Sequence, residues 1–147
     1  MGRPPRGQWR VARSCHLGVP MVIETHPLDD DGEPFPTLYW LTCPILAKRV
    51  SKLESEGAMA DLNEKLSTDE RLKARLAGAI ERYIRARDAH AVIADAGAPP
   101  GGGPDRVKCL HAHVAHELVD RANPVGAIAV AGADWPDCMA PCVEVGG

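Results

Sequence analysis

The sequence predicts an α+β fold in which a small antiparallel sheet of two to three strands packs against about three helices. Three observations carry that expectation. Two runs rich in β-branched and aromatic residues, "VPMVIETHP" (19–27) and "TLYWLTC" (37–43), flank the turn-forming "LDDDGEPFP" (28–36), the pattern of two strands paired antiparallel. Beyond Pro44 the apolar residues recur at spacings of three and four, the helical period. A chain of 147 residues, 45% hydrophobic and 25% charged, suits one core rather than two.

The elements follow in order. Residues 1–9 hold two prolines, two glycines and two arginines and read as a disordered arm. Arg10 and Arg13 extend its basic character, that of a solvated segment. Pro44 opens the first helix, where its missing N–H is harmless, with Thr42 or Cys43 as cap. Leu46, Val50 and Leu53 share one face, and Gly57 closes the helix in a left-handed conformation. A short helical turn covers 59–66. Ser67 and Glu70 have capping-box spacing ahead of a helix over 69–92, whose core stripe is Leu72, Leu76, Ile80, Tyr83 and Arg87. "GAPPGGGP" (97–104) breaks the chain. Asp105 then caps a third helix running to Arg121, and Asn123-Pro124 ends it. The apolar "VGAIAVAG" (125–132) adds a strand or lies across the surface. The organisation is an arm (1–9), a single α+β domain (10–130) and a loose tail (131–147).

Composition narrows the function. Only 4% of residues are aromatic, which tells against a stacking platform for single-stranded nucleic acid. No run approaches the roughly 20 apolar residues of a membrane span. The basic arm leads into Ser14-Cys15-His16 rather than an apolar leader, so the expected location is cytoplasmic. In that reducing compartment five cysteines read as ligands, reactive thiols or core residues, not disulfides.

"RVKCLHAHVAH" (106–116) concentrates the chemistry. On a helical wheel Val107, Leu110, Val114 and Leu118 fall within about 80° and form the core stripe. Cys109, His113 and His116 fall within about 60° on roughly the opposite side, while His111 lies near the stripe. Cys15, at the turn into the first strand, and Cys43, at a helix start that favours a thiolate, are the other well-placed thiols. A metal site of Cys15, Cys43 and Cys109, with His113 or His116 as fourth ligand, suits zinc or an iron–sulfur cluster. Taken singly, each of these residues reads more simply as a core or surface residue. No CxxC pair reinforces the pattern; Cys138 and Cys142 in the tail are candidate extra ligands. Imidazole ligation requires the neutral ring, so metal binding should weaken below about pH 6.

Two other functions compete. Gly102 and Gly103 lead toward the helix start, where Arg13, Arg106 and Lys108 could hold a small phosphate or carboxylate. With Cys109 or a cluster alongside, that describes an enzyme acting on a small anion, although the run lacks the Lys-Ser/Thr ending of a P-loop. The charged helix 69–92 could instead pair with a partner helix, but it spans under four heptads.

Three blocks, "RSCHLGVPMVIE", "PFPTLYWLTCP" and "GGGPDRVKCLHAHVAH…NPVGA", resemble an uncharacterised bacterial family common in actinobacteria, the domain of unknown function numbered 501. The likeness covers about residues 9–130. It implies that Cys15, Cys43, Cys109 and the histidine-rich helix belong to the shared blocks and that the tail cysteines do not. It implies no activity, substrate or partner.

Overall fold

The computed structural model describes residues 9–27, 37–90, 102 and 106–135. The turn over 28–36, Gly103, Asp105, Cys138 and Cys142 lie outside the described residues.

The sheet is an antiparallel meander in the order β1 (Trp9–Ser14), β2 (Pro20–Thr25), β3 (Tyr39–Leu41). The expected pair is β2–β3, with Ile23 opposite Trp40 and Glu24 opposite Tyr39. β1 corrects the reading of Arg10 and Arg13 as a solvated arm: Arg10 pairs with Glu24 and Arg13 with Val22 across the ladder, with irregularities around Arg13. Its side chains are almost all exposed, so no in–out alternation marks it. As an edge strand it is held by main-chain pairing. The turn into β2 closes with Cys15 N donating to Val19 O (2.8 Å) and Gly18 N to Cys15 O (2.9 Å), with Gly18 at φ 80°.

Five helices are described, against about three expected: α1 (Pro44–Ser55), α2 (Ala58–Thr68), α3 (Glu70–Asp88), α4 (Leu110–Asp120) and α5 (Pro124–Gly132). Cys43 caps α1, its Sγ accepting from Leu46 N, and Leu46 and Val50 are buried one turn apart. Gly57, at φ 91°, turns the chain into α2, which buries Leu62 and Leu66. Asp69, rather than the Ser67–Glu70 box, caps α3: its carboxylate accepts from Arg71 N and Leu72 N, while the Ser67 hydroxyl donates back to Glu64 O. The stripe from Leu72 to Arg87 is buried as predicted.

The third predicted helix starts later than its sequence implied. α4 begins at Leu110, not near Asp105, and residues 106–109 are not helical. They follow α2, where the Asn63 side chain donates to Val107 O (3.2 Å) and accepts from Val107 N (2.6 Å). α4 contacts all three strands, α1 and α5. It is therefore buried around most of its circumference, and the solvent-facing side drawn from one apolar stripe does not exist. His113 and His116 are 4% and 3% exposed, whereas His111 faces α1 and keeps a partly exposed ring. The "VGAIAVAG" run is α5, neither strand nor surface strap, capped by Asn123 with Pro124 in its first turn.

Leu38, Leu46, Leu76, Leu110 and Leu118 are among the fully buried core residues. Each contributes about 1.5–3 kcal/mol of burial free energy, enough to fix α4 at the centre.

Candidate functional site

The junction of α1 with the start of α4 gathers the chemistry. The Glu54 carboxylate, in the last turn of α1, reaches the first backbone N–H of α4: Oε2 accepts from Leu110 N at 3.1 Å. Cys109 is the N-cap residue by position, yet its side chain makes no capping bond. An anion expected at this helix start is thus supplied by the protein itself, where the helix dipole favours it. Oε1 of Glu54 lies 3.0 Å from His111 Nδ1. On the other side of the ring, His111 Nε2 lies 3.1 Å from Ala47 O and 3.1 Å from Ser51 Oγ. Glu54, Cys109 and His111 each present one ligand atom, all within 4.8 Å of one another. All three are partly buried, so the site is reachable.

Among the described residues this is the group of three or more His, Cys, Asp or Glu that converges in that way. Cys15, Cys43, His113 and His116 are not in it. Cys15 belongs to the β1–β2 turn, its Sγ accepting from Leu17 N (3.4 Å), and packs against the core. Cys43 is buried at the start of α1, its sulfur committed to Leu46 N (3.4 Å). All three described cysteines are free thiols.

His113 and His116 form a separate buried network around Asn123, which is 1% exposed. The Asn123 amide nitrogen lies 3.1 Å from His113 Nδ1 and 3.2 Å from His116 Nδ1, while its Oδ1 accepts from Gly126 N (3.0 Å) and caps α5. The amide NH2 carries two hydrogens, one for each ring, so Nδ1 of both histidines is an acceptor. His116 then carries its proton on Nε2 and donates to Asp120 Oδ2 (3.1 Å), which Arg82 Nε also holds (2.9 Å). The His116 ring stacks on Tyr39 and meets Tyr83 edge-on. Burial lowers the His116 pKa below its ordinary 6.5, against the opposing pull of Asp120. The unfolded chain therefore takes a proton first as pH falls below 6.5, and protons favour unfolding until the folded ring also titrates. Stability is expected to be full above pH 6.5 and to decline below it. Denaturant titrations between pH 7.5 and 5 will show this, and His116→Gln should flatten the slope.

Of the expected anion contacts, Arg106 and Lys108 line a cleft of about 630 Å³ with Met59, Ala60 and Asn63. Gly102 sits close by at φ 102°, where a Cβ would collide with the Arg106 carbonyl. Arg13 is on β1 and does not line this cleft. The late start of α4 leaves no helix terminus at this point.

Glu54 and Ser51 were not among the residues singled out from sequence, and His111 was set near the core stripe rather than in the ligand set. One signal was present: on the α1 wheel Glu54 lies beside Val50, at the edge of the stripe formed by Leu46, Val50 and Leu53. A carboxylate bordering an apolar face needs a partner. Among the described residues no helix is long and apolar enough to cross a membrane. No curated protein and no solved structure matches the chain. Residues 11–131 match the family described as Protein of unknown function (DUF501), and the chain belongs to that family.

Proposed function

We propose that this chain is a metal-binding domain holding a single zinc ion through Glu54, Cys109 and His111. One observation carries the reading. With its ring proton on Nε2, His111 donates to Ala47 O at 3.1 Å and keeps Nδ1 as a lone pair. The Nδ1 lone pair then faces Glu54 Oε1 across 3.0 Å. In that tautomer two acceptors face each other, an arrangement that a metal ion between them satisfies. The Cys109 thiol beside both supports the metal.

Donor chemistry agrees. Ligand atoms sharing one tetrahedral zinc stand about 3.3–3.6 Å apart, a modest adjustment of the present spacing. Imidazole bound through one nitrogen and donating the other N–H to a carbonyl is the usual supporting arrangement around zinc, and Ala47 provides it. A thiolate, an imidazole and a carboxylate suit zinc, whereas an iron–sulfur cluster draws on several thiolates and this junction offers one. Three protein ligands leave a fourth position for water or a substrate.

Ser51, His111 and Glu54 also have the connectivity of a serine–histidine–carboxylate relay, with 3.1 and 3.0 Å links. Ser51 lies inside α1, whose neighbouring N–H groups are spent on the helix, so no oxyanion donors accompany it. The metal reading is therefore preferred.

The test is metal content and affinity by chelator competition, with cobalt as spectroscopic substitute for zinc. One equivalent is expected per chain. Cys109→Ser should weaken binding at least tenfold and abolish the thiolate-to-cobalt band, and Glu54→Gln, which can still accept from Leu110 N, should weaken it about 10–100-fold. Substoichiometric metal, or an unchanged affinity in Cys109→Ser, removes the proposal.

A further inference from the structure

A second cleft lies away from this junction, between the paired ends of β1 and β2 and the end of α3. Trp9, Arg10, Glu24, Thr25, His26 and His90 line a cavity of about 140 Å³. One of these residues is a carboxylate with its charge already engaged. The Glu24 side chain is 8% exposed, Oε2 accepts from Arg10 Nε, and Oε1 lies 3.3 Å from His90 Nε2. Thr25 is likewise committed, donating to Thr37 O and accepting from Trp40 Nε1. His26 and His90 meet edge to face with centroids 5.7 Å apart. Glu24, His26 and His90 do not converge as a metal-ligand set.

The group left to a ligand is the Arg10 guanidinium. Arg10 is anchored through Nε yet its side chain is 69% exposed. That bond does not consume the two terminal NH2 groups, which form a fork suited to a carboxylate or phosphate. The imidazoles of His26 and His90 stand beside it. At the rim Trp9 is 52% exposed, one of three exposed large hydrophobic residues among those described. The volume resembles the roughly 150 Å³ cavity that accepts one benzene.

We propose that this cleft binds a small organic anion, one carboxylate or phosphate group carried on no more than a single ring. Arg10, oriented by Glu24, takes the anionic group, His26 and His90 flank it, and the Trp9 indole covers the ring. Glu24 is a positioning residue: its buried carboxylate fixes the guanidinium and does not touch the ligand.

Three probes test the proposal by NMR titration of the full chain: inorganic phosphate, benzoate and benzylamine. Saturable shifts confined to residues 9–10, 24–26 and 90 are expected with phosphate or benzoate. Phosphate alone would identify a free oxyanion as the ligand, and benzoate alone a ring-bearing acid. Arg10→Gln should weaken binding at least tenfold, and Arg10→Lys should not restore it, because a point charge lacks the fork. Trp9→Ala should weaken benzoate and spare phosphate. Arg10 and Trp9 are exposed, so these variants keep the fold. The proposal is overturned if neither anion binds, if Arg10→Gln binds equally well, or if benzylamine displaces the anion.

Discussion

Asn123→Ala is expected to cost about 3–5 kcal/mol of stability, a large part of the roughly 5–15 kcal/mol a single domain possesses. The side chain does two jobs at one buried point. Its oxygen caps α5 through Gly126 N, and losing such a cap costs about 1 kcal/mol. Its nitrogen supplies both His113 Nδ1 and His116 Nδ1, and each buried acceptor left without a donor costs about 1–3 kcal/mol. No water can enter as freely as at a surface, because Asn123 and both rings are at most 4% exposed. Asn123→Asp retains the cap, removes the donor and adds a buried carboxylate, so at pH 8 it should cost at least the contribution of the two imidazoles. Equilibrium unfolding in urea measures both. A cost below 1 kcal/mol for the alanine variant would mean that the network is not held as described.

The second large effect concerns Gly126. Inside a helix, alanine for glycine ordinarily gains up to about 1 kcal/mol. Here the sign should reverse. A Cβ at Gly126 would overlap the His113 carbonyl oxygen and come within 2.6 Å of Glu117 Cβ, because α5 crosses α4 backbone to backbone. Neither obstacle is the free end of a flexible side chain. Gly126→Ala should therefore lose about 2–3 kcal/mol through overpacking. Gly78 in α3 provides the contrast: its Cβ would meet only Arg82 Nη1, at 3.6 Å. Gly78→Ala should gain a few tenths to 1 kcal/mol. Thermal unfolding of the pair is decisive, since two identical substitutions in two helices should shift the midpoint in opposite directions.

The elements legible in the sequence are those whose local chemistry and burial agree. β2 and β3 are apolar runs that the fold buries or half-buries. α1 has Cys43, Pro44 and Gly57 at its ends, and α3 has a stripe on one face that packs inward. β1 was hidden because "WRVARS" is an exposed edge strand held by ladder bonds rather than by alternation. α5 was hidden because "PVGAIAVAG" is apolar without period. Its start signal, Asn123 followed by Pro124, was visible but was assigned only to ending the preceding helix. The site was partly legible. Cys109 was singled out, together with the local crowding of histidines. Their division was not, because a wheel with one apolar stripe presumes one buried side, and α4 is covered by the sheet, α1 and α5 together. Cys109 and His111, two apart, would not share a helix face. They converge because Cys109 stands just outside the helix in extended backbone, at φ −151°. Glu54 lies 55 residues before Cys109, and no local pattern links the two.

The loan of Glu54 to the start of α4 also bears on the order of folding. The central helix has no side-chain cap of its own at its first turn and depends on a carboxylate delivered from α1. A short helix without local support is marginal alone, so α4 gains its stability only once the two distant segments have met. Assembly of the middle of this protein is thereby tied to a long-range encounter rather than to a pre-formed element, and the early and late parts of the chain should acquire protection from hydrogen exchange together.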